Sequence, residues 1–152
     1  KGKKELSDEL KRFIYEENNK KLNKLETWKL FAEKSKAHSL KFKNIVSKLS
    51  KDKKLLGYGA SARSSTLLNY CEINNDEIEF VLDMNKLKSN KYTPGSNIKI
   101  IHPTDGINLL NERDLILLAW NFKKEIIKYL EKSYFKNTLV IPLPNDILIN
   151  EF

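Results

Sequence analysis

Apolar residues in the first fifty positions recur at helical spacing. Leu6, Leu10, Phe13 and Ile14 stand at i, i+4, i+7 and i+8, one stripe of an amphipathic helix that Asn18-Asn19 should end. Asn23 followed by Glu26 reads as an N-cap with its capping-box partner. From there Leu25, Trp28, Ala32, Ser35, Ser39, Phe42, Val46 and Leu49 alternate by threes and fours, with Phe31 and Ile45 broadening the seam. Ala and Ser in the middle of that seam argue against a free coiled coil. They fit a long helix packed closely across a domain.

Near residue 52 the period changes. Short apolar runs at Lys54–Tyr58, Ile78–Leu82, Ile98–Ile101, Asp114–Ala119 and Thr138–Ile141 predict five strands. Helical patterns fall between them: about Ser61–Tyr70, a short one capped by Thr104 and running to Leu110, and one capped by Asn121 with Phe122, Ile126, Ile127 and Leu130 inward. All four prolines and four of the five glycines lie in this part. The succession predicts an α/β fold: a Rossmann-like, doubly wound parallel sheet of order 3-2-1-4-5. It is preceded by helices packed on it, so residues 1–51 form the N-terminal helices and 52–152 the Rossmann-like domain.

Composition narrows the field of functions. The longest apolar run, Leu115–Trp120, is too short to span a membrane, and no signal-like segment follows the opening lysines. A lone cysteine, Cys71, with only His38 and His102 as histidines, supports neither a disulfide framework nor a Cys/His metal site. The expectation is a cytoplasmic domain without metal. Of the 152 residues, 28 are basic and 20 acidic, net +8, but residues 1–54 alone carry 17 basic and 8 acidic, net +9. Only three of the basic residues are arginine, and no aromatic residues interleave the lysines as a stacking platform would require. Nucleic acid is therefore not the expected partner.

Candidate chemistry collects at the strand ends. Gly57-Tyr58-Gly59-Ala60-Ser61-Ala62 satisfies G-x-G-x-x-G/A between a predicted strand and helix, and Asp83 lies 21 residues beyond Ala62. Gly57 allows the tight turn, Gly59 lets a ligand approach the backbone, and Ala62 keeps the helix near the sheet. The helix start then offers free N–H groups and partial positive charge to a phosphate, with Arg63 adding a guanidinium. In a doubly wound sheet the crevice lies between the first and fourth strands, so Trp120, Asn121 and Phe122 should face that turn. The stretch after the second strand adds Lys86, Lys88, Lys91 and Tyr92 before Pro94-Gly95. Loops of that length are seldom idle in a compact domain.

These segments together resemble one family. Gly57 to Arg63 with Thr66 to Cys71, then Asp83, Lys88, Lys91-Tyr92-Thr93-Pro94-Gly95, then Leu118-Ala119-Trp120-Asn121-Phe122 with Glu125-Ile126, and Ile141 to Pro144 are similar to the C-terminal domain of S-adenosylmethionine-dependent C-methyltransferases that act on nucleotide-linked keto-sugars. The resemblance covers about residues 25–145. Ser64 and Ser65 stand where the family commonly shows Gly-Asn, and Lys91 where Arg or His is frequent. It implies a domain that helps hold the nucleotide-sugar through Gly57, Gly59, Ala60, Ser61, Arg63, Asp83, Lys88, Lys91, Tyr92, Trp120, Asn121 and Phe122. It also implies a methyltransferase domain, absent from this chain, that binds S-adenosylmethionine and holds the catalytic residues.

Three readings follow. In the first, the chain presents a nucleotide-sugar to that methyltransferase domain and is not active alone; no catalytic base can be singled out, and Tyr92 and His102 read as structural. In the second, the glycine turn and Asp83 form an NAD(P) site of a small oxidoreductase or redox sensor. In the third, the basic helices bind an acidic partner or nucleic acid and the Rossmann-like part is scaffold. The resemblance favours the first.

Overall fold

The computed structural model describes residues 5–144 and 147–152. Its centre is a six-stranded sheet: β1 (Leu55–Tyr58), β2 (Ile78–Leu82), β3 (Lys99–Ile101), β4 (Leu115–Leu117), β5 (Thr138–Ile141) and β6 (Leu148–Glu151), in the order β3-β2-β1-β4-β5-β6. The first five run parallel, with Leu56 opposite Leu115 and Gly57 opposite both Val81 and Ile116. This is the predicted order 3-2-1-4-5. The sixth strand, antiparallel to β5, extends it beyond the prediction.

The helices are α1 (Asp8–Asn19), α2 (Leu25–Leu49), α3 (Ala62–Tyr70), α4 (Ile107–Leu110) and α5 (Lys123–Lys132). Every residue of β1 and β4 is buried, which requires cover on both faces of the sheet. Side chains of a strand alternate between faces, and the two core clusters follow that alternation. Leu55, Val81, Ile116 and Val140 join Phe42 and Val46 of α2 and Leu67 and Leu68 of α3. Leu56, Leu82, Leu115 and Leu117 join Leu110 of α4 and Ile126 and Leu130 of α5. Cys71, at the end of α3, belongs to the first cluster and is 2 % exposed. Burial raises the pKa of its thiol, while the hydrogen bond with Ser39 and the charge of Lys43 act the other way.

By packing, the chain divides into two compact units, residues 1–38 and 39–152. The break in packing does not coincide with the break in composition at residue 52, because Phe42 and Val46 are wholly buried in the core of the second unit. In the first unit, α1 has no buried residue and is capped by Ser7, whose hydroxyl accepts from the Leu10 N–H at 3.3 Å. Trp28 donates its indole N–H to the Leu22 carbonyl at 2.7 Å and meets Phe31 edge-on. Leu25, Trp28 and Phe31 are each more than half exposed, so burial along the apolar seam is realised only from Phe42 onward.

Three predicted caps take other forms. Asn23 donates to the side chain of Asn18 and does not cap α2. Thr104 bonds His102 and Asp105, and α4 begins after Gly106 with no side-chain cap. Asn121 sits inside a 3-10 turn, Trp120–Phe122, that precedes α5, so Phe122 is the residue before the helix and is exposed, not inward.

Candidate functional site

The glycine turn is held by Asp83 at the end of β2. One carboxylate oxygen accepts from the Ala60 N–H at 2.8 Å and pairs with Lys88 at 2.9 Å; the other accepts from the Asn85 N–H at 2.8 Å. Lys88 also donates to the Ala60 carbonyl at 2.6 Å. Acid, ammonium and turn therefore form one closed unit. The room made by glycine serves the fold here. A Cβ on Gly57 would lie 2.7 Å from Leu118 Cδ1, and one on Gly59, whose φ is +99°, would collide with Ala119.

Helix α3 begins with a capping box. The Ser64 N–H donates to Ser61 Oγ at 3.2 Å, and the Ser61 N–H donates to Ser64 Oγ at 2.6 Å. Ser64 is wholly buried, so its role is local. The N–H groups of Ala62 and Arg63, in the first turn, have no carbonyl one turn back inside the helix.

Beside this turn, where the strand order reverses between β1 and β4, lies a cleft of about 470 Å³. It takes Tyr58, Gly59 and Ser61 from the first strand and its turn, and Asp83, Met84 and Lys88 from beyond β2. Ala119 and Phe122 come from beyond β4, and Glu125, Ile126 and Tyr129 from α5. Such a crevice beyond the carboxyl ends of the strands is where doubly wound sheets bind ligands. Its walls are mostly aromatic and aliphatic. Tyr58 is 5 % exposed and packs its ring at 5.9 Å from that of Tyr129. Burial, and then the neighbouring Tyr129 and Asp83, push its pKa up to about 12, so it remains a donor at neutral pH.

Of the residues singled out from the sequence, Gly59, Ser61, Asp83, Lys88 and Phe122 line the cleft. Gly57, Ala60, Arg63, Lys91, Tyr92, Trp120 and Asn121 are not part of its lining. Trp120 packs against the core cluster that includes Phe42. Arg63 and Asn121 are exposed. Tyr92 is exposed and forms a bridge to Lys99, while Thr93 and Ser96 are buried and share a 2.7 Å hydrogen bond. Asn69 of α3 donates to the Pro94 carbonyl at 2.9 Å, and Gly95, at φ +78°, leaves space that the Asn69 side chain fills. The Tyr-Thr-Pro-Gly segment thus closes a loop onto α3.

Sequence reasoning passed over Tyr58, Met84, Glu125 and Tyr129 as site residues. Tyr58 stands inside the glycine motif, read only as a spacer between two glycines. Glu125 and Tyr129 are one turn apart on α5, a signal legible once that helix is known to begin at the crevice. Among the described residues no group of three or more His, Cys, Asp or Glu could hold a metal ion, and no helix is long and apolar enough to cross a membrane.

The family model described as the C-methyltransferase C-terminal domain matches residues 1–144. The C-methyltransferase NovU of Streptomyces niveus is 37% identical over 100 residues, which make up 64% of this chain and 23% of that protein. The chain therefore corresponds to less than a quarter of that relative's length.

Proposed function

The chain belongs to the C-methyltransferase C-terminal domain family, and from that premise we propose that it binds the substrate of an S-adenosylmethionine-dependent C-methyltransferase, a nucleotide-linked keto-sugar. The observation that carries this reading is the cleft at the switch point, with an aromatic interior and the start of α3 beside it. An aromatic wall suits a flat base, and helix N–H groups with Arg63 suit a diphosphate. In this reading residues 52–152 form the binding domain. Gly59, Ser61, Asp83, Lys88 and Phe122 shape the cleft, Arg63 meets the phosphates, and Lys91, Tyr92 and Asn121 serve at its rim.

Proton removal alpha to the ketone and methyl transfer belong to a methyltransferase domain of the parent protein. The residues of this chain do not fit S-adenosylmethionine. The acidic residue expected just before such a glycine loop is Leu55, and both oxygens of Asp83 are already engaged by Ala60, Asn85 and Lys88. The same engagement of Asp83 argues against a nicotinamide dinucleotide, whose ribose needs that acid. The share left to this domain is to bind and orient the sugar nucleotide.

Calorimetric titration of the chain with UDP-glucose, dTDP-glucose, NAD and S-adenosylmethionine tests the proposal. Heat of binding is expected with at least one sugar nucleotide and with neither cofactor. Saturable binding of NAD, with no response to either sugar nucleotide, overturns it.

A further inference from the structure

Helix α1 has no buried residue, although one stripe along it is apolar. Leu6, Leu10, Phe13 and Ile14 each leave between 40% and 49% of their surface exposed. A helix of 12 residues is marginal in water by itself, and helices in proteins owe most of their stability to a covered apolar face. The stripe therefore calls for a cover, and the order of charges along the helix says which. Acids stand at Asp8 and Glu9, bases at Lys11 and Arg12, and acids again at Glu16 and Glu17. Bases return at Lys20 and Lys21, where the helix ends. This series is antisymmetric about Ile14. Turned end for end on a second copy, Ile14 against Ile14, the helix sets Asp8 opposite Lys20, Lys11 opposite Glu17 and Arg12 opposite Glu16. Laid parallel to a copy, it sets each charge against its like.

Pairs within the helix account for part of the order: Lys11 reaches Asp8 at 3.1 Å, and Arg12 reaches Glu16 at 3.6 Å. They do not account for the last turn, which holds Glu16 and Glu17 and no base, at the end of a helix where acids are disfavoured. An antiparallel copy brings its own Lys11 and Arg12 to that end. We propose that α1 is a self-association surface, on which two copies of this chain pair antiparallel about a two-fold axis at Ile14. The face is isologous, each copy giving the same stripe and the same charges. Leu6, Leu10, Phe13 and Ile14 make a small interface, of the class below about 1,200 Å² that forms weak complexes. A dissociation constant of about ten to a hundred micromolar is expected. No residue of α1 lines the cleft, so the pairing is independent of the nucleotide reading.

Sedimentation equilibrium of the full chain, at concentrations that bracket this constant, tests the proposal. The mean mass is expected to rise from 17.8 kDa toward twice that value, and to rise less in high salt. Two charge-reversed chains test the register. Lys11→Glu with Arg12→Glu, and Glu16→Lys with Glu17→Lys, each set like charges opposite in a dimer of one kind. Each is expected to associate at least about tenfold more weakly than the parent. Mixed in equal amounts they restore every opposition, and the mixture is expected to associate as the parent does. Ile14→Ala, a good helix former at the axis, changes no charge and is expected to weaken association as well. A parent chain that stays at 17.8 kDa throughout overturns the proposal. So does unchanged association in Ile14→Ala, or a mixture of well-folded reversed chains that associates no better than either alone.

Discussion

Gly59 sits at φ +99° with Ala119 where a side chain would go. From the motif alone it reads as room for a ligand, and Gly59→Val as a change that abolishes binding and spares the fold. The structure reverses that expectation. A branched side chain at left-handed φ costs about 1–2 kcal/mol, and forcing it against Ala119 adds about 1–3 kcal/mol. Gly59→Val is therefore expected to lower the unfolding free energy from a urea titration by about 2–5 kcal/mol, and a variant as stable as the parent would contradict the packing described here. The pattern of glycines was legible because any tight strand-to-helix turn needs it. Its packing role was not, because the occupant of the space, Ala119, lies beyond β4, sixty residues along the chain. Asp83 was likewise legible by spacing, but its bonds to Ala60 and Lys88, which brace the glycine turn, were not. Tyr58 carries a second prediction. Its folded pKa lies near 12, above its ordinary value of 10.0, so its contribution to stability is complete below pH 10 and is lost as pH rises toward 12. Circular dichroism melts between pH 9 and 12 should show a steeper alkaline decline for the parent than for Tyr58→Phe.

Among the elements, α2 shows how far a hydrophobic period can be trusted. The alternation from Leu25 to Leu49 correctly yields one uninterrupted helix of 25 residues. It does not say which turns of that helix are covered, because period reports the face and not the neighbour. Coverage is set by Ser39, which donates to the Tyr70 carbonyl at 3.3 Å, and by Lys43, which reaches the Glu72 carbonyl at 2.6 Å and pairs with Glu77. Burial alone would raise the pKa of Glu77; Lys43 and the Asn74 N–H outweigh it, and the net shift is downward. Phe42, between those contacts, is wholly buried. Phe42→Ala is expected to cost about 3–5 kcal/mol in a denaturant titration, against little for Phe31→Ala, whose ring is 62% exposed. Equal costs would show that the seam is covered along its whole length. The five parallel strands were legible as apolar runs between breakers. β6 was not, since Ile147-Leu148-Ile149 is a run too short to separate from a tail. Its pairing with β5 is what makes it a strand.

At the scale of the whole molecule, topology places the chemistry. Reversal of strand order between β1 and β4 opens the crevice, and the residues around it come from three separate stretches of chain, 58–61, 83–88 and 119–129. No local motif could have assembled Tyr58, Glu125 and Tyr129, whereas the family resemblance pointed to the same end of the sheet. The family match, over residues 1–144, takes in the N-terminal helices as well as the sheet. The excess of positive charge in residues 1–54 is spread among lysines that leave the cleft itself with two acids and one paired cation. Cys71 has a consequence of another kind. It is the chain's single cysteine, shut into the core beside α2 with its thiol kept protonated. A thiol reagent reaches it only when that face of the sheet opens, so the chain carries its own stopwatch. The rate of labelling counts core openings, one molecule at a time, without a dye, a tag or a substitution.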